Sequence, residues 1–192
     1  MEDQHENSTE YDVFLTHDWN TDEKGRNNHE RVSIINRELK LNGYVTWFDQ
    51  ERMTGRIRQQ MTKGIDHSKC VIVFLTKAYM EKVNHGRRND NVLFEMNYAF
   101  DKHTVELLAV CMDDTMCNHD KWSGELKGML GLDLFVCMNG DLDDGSYLQM
   151  KMKELIDQLR RKKIKPSLRT IVCERDSPIT YLGLPLSPSC PF

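Results

Sequence analysis

CVIVFLT, residues 70–76, is the stretch whose reading decides the fold. It carries no charge, and its single hydroxyl comes at the end. A strand with one wet face alternates apolar and polar residues, because successive side chains point to opposite sides. A run that is apolar throughout is covered on both sides, which is the situation of a central strand in a parallel sheet. Such a sheet needs helices on both faces and right-handed crossovers between strands.

The chain around this run supplies the other parts. YDVFLT (11–16), YVTWFD (44–49), ELLAVCM (106–112) and LFVCM (134–138) are further β-rich runs between polar segments. Val32, Ile35 and Leu39 repeat at helical spacing, as do Ile57, Met61 and Ile65. Leu148, Met152, Leu155 and Leu159 make a closing helix whose Lys/Arg-rich end suits the helix dipole. Gly43 ends the first helix and launches the second strand. The expectation is an α/β, flavodoxin-like three-layer sandwich: a five-stranded parallel sheet with helices on both faces. In that layout functional groups gather at the carboxyl ends of the strands.

Composition bounds the rest. The 192 residues suit one well-cored domain plus a tail. All five prolines (166, 178, 185, 188 and 191) follow residue 165. Residues 1–8 are expected to be disordered, 9–163 to form the domain, and 164–192 to form a proline-containing, flexible tail. A formal charge of −4 gives no basic surplus for nucleic acid. No stretch reaches the ~18 apolar residues of a membrane span, and the acidic start is unlike a secretory signal. Six cysteines lack framework spacing, and Cys70, Cys111 and Cys137 lie in apolar runs as small hydrophobes. Reduced thiols in a cytoplasmic protein are expected.

Several chemistries are excluded by missing motifs. A phosphoacceptor receiver domain needs an aspartate ending the third strand, but that strand closes in FLTK (74–77), with no acid. Neither a phosphate loop nor a dinucleotide-binding glycine pattern follows a strand, and no nucleophile elbow is present. Cys111, Cys117 and His119 lack the second pair that would close a tetrahedral zinc site. His17 ends the first strand, where a lone imidazole reads as a hydrogen-bonded structural residue. No metal and no resident cofactor is implied.

One acid stands out. In NVLFEMNYAF (91–100), Val92, Met96, Ala99 and Phe100 recur along one helix face, and Glu95 sits one step from that stripe. It is either a boundary glutamate with its head in water or a catalytic acid in a cleft.

Three segments in order resemble the Toll/interleukin-1 receptor (TIR) domain family. YDVFLTHDW (11–19) is similar to the family's first box, a Tyr-Asp-Val-Phe strand followed by a small hydroxyl residue. Residues 43–83 resemble the second box, from a strand ending in aspartate through a Gly-containing loop and a helix to a strand ending in Ser/Thr. NVLFEMNYAF resembles the family's Glu-containing third helix. The resemblance covers roughly residues 9–163.

It implies intracellular signalling in innate-immune or cell-death pathways, with TIR–TIR partners and homo-oligomers. Association is implied through the loop after the second strand: Gln50, Glu51, Arg52, Met53, Thr54 and Gly55. It further implies cleavage of NAD⁺, as a substrate, at the nicotinamide–ribose bond, with Glu95 as the catalytic carboxylate. Nicotinamide leaves as a neutral molecule, so one anion facing the oxocarbenium-like ribose suffices. Trp19, Asp49, Arg52 and Asn91 are the candidate NAD⁺-binding residues, with Arg56 flanking the same loop. Asn91 stands where some active members carry an aromatic or cysteine, Asp18 and Trp19 replace an arginine, and Ile57 replaces an aromatic. A catalytically silent adaptor, acting only through TIR–TIR contacts, is the alternative.

Overall fold

The computed structural model describes residues 10–48, 57–131 and 134–168. The sequence-derived readings on Asp49, Gln50, Glu51, Arg52, Met53, Thr54, Gly55 and Arg56 lie outside the described residues. Among the described residues there are five strands and six α-helices, in the order β1 (Tyr11–His17), α1 (Asn28–Leu41), β2 (Thr46–Trp47), α2 (Ile57–Asp66), β3 (Ser68–Leu75), α3 (Lys77–His85), α4 (Asn91–Asp101), β4 (Glu106–Cys111), α5 (Gly124–Leu130), β5 (Phe135–Cys137) and α6 (Gly145–Arg161). The sheet is parallel throughout, in the order β2-β1-β3-β4-β5. This is the flavodoxin-like layer the run at 70–76 requires.

β3 explains why. Cys70, Ile72 and Phe74 belong to the apolar layer under α1 and α6. Val71, Val73 and Leu75 belong to the opposite layer, under α2, α3, α4 and α5. Each side chain of the run is fully buried on one face or the other, so neither face tolerates a polar residue. The chain switches direction across the sheet after β1. It goes outward to β2 through α1 and back to β3 through α2, and a crevice opens at the carboxyl end of β1.

The edge strand β2 is shorter than the run 44–49 suggests. The Val45 amide donates to the Asp12 carboxylate at 2.9 Å, while the Asp12 and Val13 amides donate to the Val45 carbonyl. A side chain thus takes a place that a ladder bond would otherwise fill. Two helices escaped the periodicity reading. α3 has nine residues and buries Tyr79, Met80 and Val83; α5 has seven and contains two glycines. Both are too short for a clear apolar stripe. The Glu95 helix is therefore the fourth in chain order.

Caps set the helix starts. Asn27, Thr76, Asp90 and Asp144 each accept amide hydrogen bonds at the beginning of α1, α3, α4 and α6. Behind α6, Ile164 is buried and the Leu168 amide donates to the Gly43 carbonyl at 3.0 Å. Ser167 donates its hydroxyl to Asp12 at 2.6 Å, and Lys69 pairs with the same carboxylate at 2.5 Å. The first residues after the composition break thus lie against the start of β1.

Candidate functional site

The site begins at the last turn of β1. Thr16 and His17 close the strand, and the helix α4 brings Glu95 across to them. The Thr16 hydroxyl donates to Glu95 Oε2 at 2.6 Å. That hydroxyl also lies 3.1 Å from the Tyr79 hydroxyl. Thr16 has one hydrogen and gives it to the carboxylate, so Tyr79 must donate to Thr16. The result is a directed chain, Tyr79 to Thr16 to Glu95, in which each bond strengthens the next. Burial first, and the Glu95 and Asp18 charges behind it, push the Tyr79 phenol pKa far up, so it stays a donor.

Glu95 is only 6% exposed, yet its carboxylate reaches a cleft of about 200 Å³. The walls are His17 and Trp19 from the end of β1, Met61 from α2, Lys82 from α3, and Asp90, Asn91 and Val92 from the start of α4. The local sequence dictates this placement. The Asp90 side chain accepts from the Val92 and Leu93 amides and starts the helix there. Val92, Met96 and Ala99 pack inward, so Glu95, one step off their stripe, points along the seam to β1. Of the two readings of position 95, the boundary glutamate with its head in water does not fit.

A stack of rings forms the wall beside it. The indole of Trp19 lies on the His29 imidazole, with centroids 3.9 Å apart and planes 14° from parallel. His29 and His17 both stack on Phe48, at 5.2 and 5.4 Å. His17 Nε2 and His29 Nδ1 are 2.7 Å apart, so one ring must donate and the other accept. Burial, then the neighbouring His29 charge, pushes the His17 pKa down to about 3. The cleft therefore presents a neutral imidazole near Glu95 at physiological pH. Trp19 remains 54% exposed.

Behind the site, Asp18 is fully buried and fixes the turn out of β1. It accepts from the Thr76 hydroxyl, from the Asn20 amide at 2.9 Å and from Asn28 at 3.3 Å. The carboxylate thus occupies a structural position, tying β1 to the cap of α3.

The structure brings together three of the residues marked from sequence: Glu95, Trp19 and Asn91. Ile57, at the start of α2, is 40% exposed and does not line the cleft. The second strand contributes indirectly, through Phe48 under the two histidines. Sequence reasoning missed His29, Tyr79, Lys82 and Asp90. His29 follows the Asn27-capped start of α1, so a histidine in the first turn after β1 was the available signal for a partner to His17. Nothing local marks Lys82 or Tyr79.

Chemically, the cleft offers the held carboxylates of Glu95 and Asp90, a flat exposed indole, a neutral imidazole, an amide and one ammonium group. Among the described residues, no group of three or more His, Cys, Asp or Glu side chains is placed to hold a metal ion. Among them, too, no helix is long and apolar enough to cross a membrane. No match is found among curated proteins. A family model described as TIR domain matches residues 13–149, from within β1 into the first turns of α6 and across the whole cleft; the chain belongs to the TIR domain family and is a TIR-domain signalling protein.

Proposed function

We propose that this protein cleaves NAD⁺ at the nicotinamide–ribose bond in the cleft at the end of β1, with Glu95 as the catalytic carboxylate. The observation that carries the reading is the position of Glu95: buried, fixed by the Thr16 hydroxyl at 2.6 Å, and still lining the cleft. A held anion stabilises the positive charge that develops on the ribose as nicotinamide departs, without reorganising at the moment of reaction. Water then adds to the anomeric carbon, giving ADP-ribose, nicotinamide and one proton.

The remaining walls suit the same substrate. Trp19 offers an indole face to the nicotinamide ring, and Asn91 offers an amide to its carboxamide or to the ribose hydroxyls. The neutral state of His17 avoids repelling a cationic ring. The cleft of about 200 Å³ is smaller than the ~300–1,000 Å³ of typical small-molecule sites, so it takes the nicotinamide riboside end. The adenosine end extends past the rim; Asp49 and Arg52 are its candidate binders on the family resemblance alone. Self-association through Gln50, Glu51, Arg52, Met53, Thr54 and Gly55 completes the site, in a cytoplasmic signalling assembly of TIR domains.

The test is nicotinamide release from NAD⁺ by the full chain, at a concentration where light scattering registers assembly. Glu95→Gln keeps the volume and an acceptor for Thr16, and should abolish release with an unchanged unfolding midpoint. Substituting Met53 should lower both assembly and turnover. Release that survives Glu95→Gln overturns the assignment of Glu95. No release from the assembled, unmodified chain leaves the silent adaptor as the reading.

A further inference from the structure

One wall of the cleft carries a positive charge that the chemistry at Glu95 does not use. Lys82 lines the cleft from α3, and the residue is half-buried. Its ammonium makes no ion pair among the described residues. The two carboxylates in the same cleft are engaged elsewhere. Glu95 accepts from the Thr16 hydroxyl at 2.6 Å, and Asp90 accepts from the Val92 amide at 2.8 Å. A cation drawn partly out of water needs an anion beside it, and no described residue supplies one.

The place of Lys82 is set by its own helix. Tyr79, Met80 and Val83 are buried and fix the roll of α3. Lys82 stands three positions after Tyr79, on the same side and about 4.5 Å further along the axis. Tyr79 begins the chain of hydroxyls that ends on Glu95, so the ammonium and the held carboxylate are tied to one buried framework. The Gly86 amide donates to the Lys82 carbonyl at 2.8 Å and closes the helix just beyond. A lysine in a last turn also suits the helix dipole. That accounts for a positive charge near the end of α3, and not for its position in the wall of a cleft.

Two signs of charge in one small cleft call for a ligand that carries both. The nicotinamide ribose unit of NAD⁺ is cationic at its ring and bears a phosphate on its 5′ oxygen. The carboxylates of Glu95 and Asp90 match the ring, and the Lys82 ammonium matches the phosphate, which a lysine meets as a mobile point charge. We propose that Lys82 binds the phosphate next to the nicotinamide ribose, so that the nicotinamide mononucleotide half of NAD⁺ is the unit this cleft recognises. The assignment rests on reading the cleft as the NAD⁺ site. Nicotinamide mononucleotide, which keeps both charges, is then a ligand in its own right, and nicotinamide riboside, which lacks the phosphate, is a poor one.

The test is binding, which needs no turnover. The full chain carrying Glu95→Gln is titrated calorimetrically with nicotinamide mononucleotide and with nicotinamide riboside. The mononucleotide should bind at least about tenfold more tightly, the contribution of one charge-assisted hydrogen bond. Adding Lys82→Met, which keeps the stem and removes the charge, should erase that ratio with an unchanged unfolding midpoint, and Lys82→Arg should keep most of it. Equal affinities for the two compounds with Lys82 in place overturn the proposal. So does a preference for the mononucleotide that survives Lys82→Met, or binding of neither compound. Nicotinamide release by the unmodified chain is measured separately. A mononucleotide preference without release sinks the cleavage reading alone, and release from NAD⁺ without that preference sinks the assignment of Lys82 alone.

Discussion

Acidification should destabilise this fold through His17, and substituting that residue should remove the effect. His17 is 4% exposed and faces His29 across 2.7 Å. A second proton on this pair would place two N–H groups head to head in a buried site. The folded pKa of about 3 lies below the ordinary 6.5, so the unfolded chain binds the proton first. Stability from this group is complete above pH 6.5 and is lost as pH falls toward 3. The whole window corresponds to about 5 kcal/mol, of which about 2 kcal/mol falls between pH 7 and pH 5. For a domain of this size that is a drop of about 4–8 °C in Tm. Urea unfolding of the parent chain and of His17→Gln at pH 7, 6 and 5 measures it. The parent should lose about 2 kcal/mol more than the variant. Asp113, whose carboxyl burial holds above its usual value, works in the opposite direction but is common to both proteins and cancels. The Asp12, Asp22 and Asp66 carboxyls sit below theirs and act only at lower pH. Parallel curves for parent and variant, or a His17 ring titrating near 6.5 by NMR, would refute the reasoning.

Two further substitutions probe what holds the site's frame. Arg31 is buried and joins Asp22 at 2.8 Å to the carbonyls of Met112 and Met138, just past β4 and β5. Arg31→Met should cost about 3–5 kcal/mol, because it strands these acceptors; a loss under 1 kcal/mol in thermal unfolding would show that the carbonyls find other donors. Gly64 on α2 leaves room for Trp47, and a Cβ there would lie 2.7 Å from the indole nitrogen and 2.9 Å from the Phe14 ring. Gly64→Ala should therefore cost about 1–3 kcal/mol despite its better helix propensity. Tryptophan fluorescence should shift as Trp47 leaves its 4.2 Å stack on Phe14, and an unshifted spectrum with unchanged stability would contradict this.

The fold was legible wherever a residue's neighbours in space are also its neighbours in sequence. The burial of 70–75 on alternating faces follows from the run itself, and so do the apolar stripes of α1 and α6; the stripes of α2 and α4 each lose one member, Ile57 and Phe100, both 40% exposed. Legibility failed where a side chain from another element intervened. Tyr44 and Val45 read as strand, yet Asp12, more than thirty residues away, takes the Val45 amide and shortens the ladder. α3 and α5 failed for lack of length, since two turns cannot establish a period.

The candidate site shows the same limit more sharply. Glu95 was marked by an anomaly in its own helix, and Trp19 and Asn91 by the family resemblance. What fixes Glu95 is Thr16, 79 residues earlier, and behind it Tyr79, from a helix the pattern did not reveal. The small hydroxyl after the Tyr-Asp-Val-Phe strand was visible as a residue type, and its reason was not. The geometry supplies one. The carboxylate lies at the wall of a small cleft, with a buried Tyr behind its donor. The short hydrogen bond from the strand end holds Oε2 of that carboxylate. Any chemistry at Glu95 depends on Thr16 as directly as on the glutamate, and an isosteric loss of that hydroxyl would leave the acid present but unaimed.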